Sequence, residues 1–383
     1  MLTAGIKFIN FKKKIDNKKI KKNFKLIINK KNEVINSLSK NYKNNYKKII
    51  LNQFKKHSNF RVIGMGGSTL GTQTIYEFLN HKIKKKFFFE DNLNIRKNTK
   101  IKKCVNLVVS KSGNTTETII NANILINKKD KNIFITEKRN SYLYLLAEKL
   151  KAEIIHHNNF IGGRYSVLSE VGMLPADLMG LQTGHFRQFN SLIKNKNFIN
   201  ALISNVASTL YYIKNKKLNS VIINYDEKSE NLFKWYQQLV AESLGKKRKG
   251  LLPIVSCMPK DNHSVMQLYL DGFQNNFFTF FYSHERRSQN IKNKTILSSQ
   301  KFLKNKNLSD IILAQKNATE KVFNMKKIPY RSFEIFKKDE KTLGELFCFF
   351  ILETILLSKS LNVNPYDQPA VELIKVETKK LLI

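Results

Sequence analysis

Val105-Asn106-Leu107-Val108-Val109 runs directly into Ser110-Lys111-Ser112-Gly113-Asn114-Thr115-Thr116-Glu117-Thr118, and an amphipathic stretch over 119–126 follows. An apolar β-branched run, a hydroxyl-rich turn and a helical period predict strand, turn and helix in that order. Such a turn gathers Ser and Thr hydroxyls and the free N–H groups of a helix start around one point. The natural occupant of that point is a phosphate. Working outward, short strands at 62–63, 87–89, 107–109, 133–135 and 154–155 alternate with helices over 68–79, 115–127 and 141–150. That alternation implies a parallel sheet covered on both faces.

A second set of the same plan starts near residue 219, with strands at 220–223, 254–255, 277–281 and 333–336. Its helices fall over 229–244, 263–271, 307–324, 340–361 and 367–380, and the polar segment 284–306 reads as a surface loop. The apolar run 346–352, bounded by Glu345 and Glu353, is too short to span a bilayer and reads as a buried helix. Residues 1–57 read as two or three helices. The expected organisation is α/β: an N-terminal helical segment (1–57), a first unit with linking helices (58–212) and a second unit with C-terminal helices (213–383), each unit a mainly parallel sheet with helices on both faces.

The formal charge of +39 suggests nucleic acid or an anionic membrane when taken alone. The lysines are spread along the whole chain, Lys, Asn and Ile recur everywhere, and Gly, Pro and Trp are scarce. A coding sequence biased toward A and T produces that pattern, so neither nucleic acid nor a membrane is expected as a partner. The three cysteines, Cys104, Cys257 and Cys348, share no ligand-like spacing. They point away from a metal site or disulfide framework and toward a reducing, cytoplasmic setting.

In open parallel sheets, ligands bind beyond the carboxyl ends of the strands. Gly64-Met65-Gly66-Gly67-Ser68 lies there beside the hydroxyl-rich turn, with glycines where a backbone must come close and Ser68 at the expected helix start. It is neither a Walker loop nor a dinucleotide fingerprint, and alone it is equally a tight turn. Gly162-Gly163-Arg164-Tyr165-Ser166 sets an arginine after paired glycines, either an oxyanion holder or a surface residue. Gln238 and Glu242 are four apart on one helix face, and Glu242, read as sitting among apolar neighbours, is a candidate base as well as half of an i,i+4 pair. Asp261-Asn262-His263-Ser264 opens a helix and makes His263 a proton carrier or part of a simple cap. In Asn364-Pro365-Tyr366-Asp367-Gln368-Pro369-Ala370-Val371-Glu372-Leu373-Ile374-Lys375, Gln368 and Lys375 are seven apart and share a face.

In this order, these six motifs resemble those of the glucose-6-phosphate isomerase family over roughly residues 55–383. The Asp-Gln-Pro-x-Val-Glu-Leu-x-Lys pattern at 367–375 and Gly-Gly-Arg-Tyr-Ser at 162–166 are the most specific. The resemblance implies two sugar-isomerase subdomains, no cofactor, no metal, and a homodimer in which the histidine comes from the partner subunit. It also implies interconversion of glucose 6-phosphate and fructose 6-phosphate. Ser110, Lys111, Ser112 and Thr115 would hold the phosphate, with Gly67 and Ser68 at the sugar. His263 with Lys375 would open the ring, Glu242 would move the proton between C2 and C1, and Arg164 would stabilise the enediol's charge. Gly163, Gln238, Gln368 and Glu117 would be further polar contacts. Acceptance of mannose 6-phosphate, or binding without turnover, are the rival readings. Ile374 and Ala370 stand where the family usually has Gly, which raises the question of crowding beside Lys375.

Overall fold

The computed structural model describes residues 1–13, 15–93, 101, 103–285 and 288–383. Strand β1 (Ile6–Ile9) comes first, followed by helices α1 (Lys18–Asn29), α2 (Glu33–Ser37) and α3 (Lys48–Lys55). The first unit then runs β2 (Asn59–Gly64), α4 (Leu70–Phe78), β3 (Lys86–Glu90), β4 (Cys104–Val109), α5 (Thr116–Leu125), β5 (Lys131–Thr136), α6 (Tyr142–Lys149) and β6 (Glu153–His156). Helices α7 (Glu170–Met179), α8 (Phe189–Leu192) and α9 (Lys196–Lys214) lead to the second unit. That unit comprises β7 (Asn219–Asn224), α10 (Glu230–Leu244), β8 (Leu252–Cys257), α11 (Met266–Asp271), β9 (Asn276–Ser283), α12 (Leu308–Met325), β10 (Tyr330–Ile335), α13 (Glu340–Ser360) and α14 (Ala370–Leu381).

The first sheet has the order β3-β2-β4-β5-β6 and is parallel throughout. The second has the order β1-β10-β9-β7-β8, parallel except for β1. In the first sheet the chain goes from β2 outward to β3, then returns to the other side of β2 as β4. The crevice between the carboxyl ends of β2 and β4 is therefore a switch point, where a ligand can sit between diverging loops. The turns at 64–68 and 110–118 both open onto it.

Apolar side chains of both sheets join in one continuous core. Its centre is α13, whose residues from Thr342 to Ser358 are all buried. Phe347 meets the edge of Trp235 on α10 with ring centroids 4.9 Å apart. A helix apolar on every side needs neighbours on every side, and α1, α9 and α10 supply them.

Three expectations need correction. Residues 1–57 are not wholly helical: Ile6, Lys7, Phe8 and Ile9 pair antiparallel with Ile335, Glu334, Phe333 and Ser332. Ser68 ends a short 3-10 turn (Gly66–Ser68), and Thr69 takes the N-cap of α4. His263 closes another 3-10 turn (Lys260–His263), and α11 starts three residues later. The segment 284–306 carries two short 3-10 turns, Asn293–Thr295 and Ser298–Leu303, while 286–287 lie outside the described residues.

Candidate active site

The turn after β4 is folded by its own hydroxyls. Ser110, buried, lies with its Oγ 2.9 Å from Thr115 Oγ1, and Ser112 Oγ accepts the Asn114 N–H at 3.2 Å. Gly113 turns the chain with φ +67°, and a Cβ there would lie 2.1 Å from Ser141 Oγ, so glycine is required on both counts. Thr115 takes the N-cap position of α5 without a side-chain cap bond, so its hydroxyl leaves the first-turn N–H groups uncapped. Lys111, half-buried, donates to the carbonyl of Asn159 at 2.6 Å and faces Glu137 at 3.8 Å. Loss of water around it lowers its pKa from the ordinary lysine value, with Glu137 opposing that shift. Glu117 lies half-buried on the first turn of α5.

The turns at 66–67 and 162–164 touch backbone to backbone. A Cβ on Gly67 would lie 2.2 Å from the carbonyl carbon of Gly163, so only glycine allows the approach. This contact seats Arg164, 2% exposed, beneath the first turn. Its Nε donates to Ser243 Oγ at 2.9 Å. Nη1 donates to Glu242 Oε2 and to Gln368 Oε1, both at 2.8 Å. Nη2 donates to the carbonyls of Pro365 at 2.6 Å and Asp367 at 3.0 Å. All five guanidinium N–H bonds are thus used, and they tie together α10, the 162–166 turn and the strap at 364–368.

Glu242 is correspondingly not set among apolar groups. One oxygen is held by Arg164 and the other accepts from Gln238 Nε2 at 2.8 Å, the i,i+4 contact that the spacing anticipates. Gln238 also abuts Gly66, where φ is +52° and a Cβ would come within 2.9 Å of Nε2. Its Oε1 is buried and has no hydrogen-bond partner among the described residues. A cavity of about 610 Å³ opens beside Glu242, bordered by Gly66, Gln73, Asp91, Lys234 and Gln238. The 64–68 turn, a carboxylate and a guanidinium are therefore gathered in one place, and the same turn adjoins the end of β4 through Gly64, whose Cβ would lie 2.8 Å from the Val109 carbonyl oxygen.

His263 and Lys375 are elsewhere. Asp261, in the His263 turn, accepts the N–H of Cys257 at 2.7 Å. Burial and Glu230 raise the Cys257 thiol to about 11, which puts this turn beside the first residue of α10. At 1.5 Å rise per residue, Glu242 lies roughly 18 Å along that helix from Glu230. His263 is exposed and belongs to the far end of α10. Lys375 is exposed on α14 and paired with Glu372 Oε1 at 2.7 Å. No residue of α14 is buried, and Ile374 is 69% exposed, so it crowds nothing within this chain.

Sequence reasoning passed over Ser243, which also lies 2.8 Å from Tyr165 Oη. Its position next to Glu242 was the available signal. Lys246, which the spacing offers as a surface partner for Glu242, is instead bound to Asp367 at 3.1 Å. The Pro365 and Asp367 carbonyls carry none, because every residue has one.

The model of the phosphoglucose isomerase family matches residues 16–382. Glucose-6-phosphate isomerase of Methanocaldococcus jannaschii is 31% identical over 343 residues, covering 85% of this chain and 83% of that protein. The enzyme of the same name from Mycoplasma mycoides is 31% identical over 418 aligned residues, covering 98% and 96%. Among solved structures, a hypothetical protein from Thermus thermophilus superposes with a TM-score of 0.83 at 21% identity, over 96% of this chain and 94% of that one. A glucose-6-phosphate isomerase from Chlamydia trachomatis gives 0.70 at 19% identity, over 87% and 72%, and both likenesses are of fold. With one family model running through both sheets and through every site residue named above, this chain belongs to the phosphoglucose isomerase family.

Proposed function

We propose that the chain is an aldose–ketose isomerase interconverting glucose 6-phosphate and fructose 6-phosphate. The observation that carries this reading is the Glu242 carboxylate held at 2.8 Å by both Arg164 and Gln238, beside the cleft and in a chain of this family. Ser110, Lys111, Ser112, Thr115 and the N–H groups of α5 hold the phosphate, each charge-assisted bond contributing roughly 1.5–3 kcal/mol. Gly67, Ser68 and Gly163 border the sugar, whose hydroxyls are met by Gln238 Oε1, Gln368 and Glu117.

His263, with Lys375, moves the proton that opens the ring between the ring oxygen and the C1 hydroxyl. Glu242 then removes the proton from C2 of the open aldose. The C2–H electrons form the C1=C2 bond while the C1 oxygen takes a proton, giving a cis-enediol. Return of the proton from Glu242 to C1, with loss of the O2 proton, yields the ketose. Arg164 Nη1 is the donor suited to the developing charge: its two partners are side chains that can turn aside, whereas Nη2 is fixed by backbone carbonyls.

A homodimer with shared sites follows from the same reading. If His263 and Glu242 act on one sugar, their positions at opposite ends of α10 require the histidine of a second copy. Val371, Ile374 and Leu381 share one exposed face of α14 with Lys375 at its edge, and a second copy would cover them. The proposed setting is the cytoplasm, in glycolysis and gluconeogenesis, consistent with three free cysteines among the described residues.

A coupled assay of fructose 6-phosphate conversion tests the reading. Wild type should turn over, and Glu242→Gln should lower kcat at least about 100-fold, the usual range for loss of an acid–base group. No turnover by wild type would sink the enzyme; an undiminished variant would sink the assignment of the base.

A further inference from the structure

At the N-terminal edge of the second sheet, remote in the fold from the turns described above, lies a cavity of about 810 Å³, a size that suits a small-molecule ligand. No residue assigned to the sugar phosphate lines it. Lys12, Lys13, Lys217, Lys326 and Lys327 border it, and among the described residues that line it the only carboxylate is Asp271. Lys326 approaches Asp271 at 3.9 Å, Lys13 donates to Tyr211 Oη at 2.9 Å, and Lys217 donates to the Gln274 carbonyl. Five ammonium groups thus face one negative charge.

The walls are aromatic. Tyr212, Tyr269 and Phe278 form buried parts of the lining, and Phe273 stands 54% exposed among the lining residues. Asn276, 4% exposed, accepts from Asn219 Nδ2 at its Oδ1 at 2.9 Å and closes the floor. Surface lysines from compositional drift do not explain the ring-lined walls.

We propose that this cavity binds a nucleoside polyphosphate, its phosphates among the lysines and its base against Phe273 and the tyrosines of the wall. The charge excess matches a triphosphate, and a purine offers the planar face.

Calorimetric titration of the full-length protein with ATP, inorganic tripolyphosphate and adenosine, at physiological salt, tests this directly. ATP should bind saturably and at least 10-fold tighter than either fragment. Lys13→Glu combined with Lys327→Glu should weaken ATP at least 10-fold, and Phe273→Ala should bring ATP down to the tripolyphosphate level. Fructose 6-phosphate at saturation should not displace ATP, and the variants should keep wild-type melting temperature and turnover. Equal binding of tripolyphosphate and ATP would mean only a diffuse polyanion effect and would overturn the proposal. So would an unchanged ATP affinity in the charge-reversed protein, or displacement by the sugar phosphate. None of these results bears on the isomerase reading, which the Glu242→Gln assay decides separately.

Discussion

At Gly67 the first glycine turn lies against the arginine-bearing turn so closely that a methyl group would sit 2.2 Å from the Gly163 carbonyl carbon and 2.5 Å from the Arg164 nitrogen. Both neighbours are backbone, so neither can swing away. Gly67→Ala is expected to cost about 1–3 kcal/mol, as overpacking does, and to displace Arg164 and with it Glu242. Thermal unfolding should show a lowered midpoint, and turnover should fall by more than the folded fraction; an unchanged melt and rate would mean that the two turns separate freely. His157, at the end of β6, supplies a pH dependence. Burial pushes it from the ordinary 6.5 down to about 4, with Lys111 and His156 adding to the shift. The unfolded chain takes up this proton below 6.5 and the folded chain only near 4. Its contribution, about 3 kcal/mol at 1.36 kcal/mol per unit, is complete above pH 6.5 and is lost as pH falls toward 4. Urea unfolding of wild type and His157→Leu at pH 7.5 and 5 should show a steeper loss in wild type, and parallel losses would remove His157 as the cause. At this scale the candidate residues were readable wherever side-chain type carries the chemistry: Arg164, Gln238 and Glu242 meet as their motifs suggest. The strap carbonyls at 365 and 367, and the arginine's occupation of all its donors, depend on backbone placement that side-chain type does not encode.

Among the elements, β4, α10 and α13 were legible because each has a long, unambiguous apolar pattern. Strand β1 was not. It is four residues long, its inward positions are only Ile6 and Phe8, and what makes it a strand is β10, with Lys7 bonded to Glu334 at 327 positions' remove. The helix start at 263–266 was misplaced because Asp261 is spent on the Cys257 N–H and Ser264, which holds the chain in a 3-10 turn instead of capping α11. Helix α14 is the opposite case, an element whose helical reading matches and whose apolar residues lie exposed within the single chain, where the proposed dimer would cover them. Ile374→Glu should leave the melting of the subunit almost unchanged, since the side chain is 69% exposed. In sedimentation it should convert a dimer to monomer, and turnover should drop with the loss of a positioned Lys375. A variant that stays dimeric and fully active would remove α14 from the proposed interface.

For the molecule as a whole, two sheets share one core while the charge of +39 is distributed over the outside. A positive field attracts a phosphorylated sugar at a distance, but salt screens it beyond about 8 Å at physiological strength. kcat/KM for fructose 6-phosphate should therefore fall several-fold between about 20 mM and 500 mM salt, with kcat changing less than twofold; a flat kcat/KM would confine the charge to solubility. The strand β1 bears on something different, the order in which the molecule can be assembled. It leaves the ribosome hundreds of residues ahead of its neighbour β10. At 5–20 residues per second that is a wait of roughly 15–65 s. Until then the leading strand has no edge to join. The first sheet can close during synthesis, but the second is finished only when β10 reaches a strand made more than 300 residues before it.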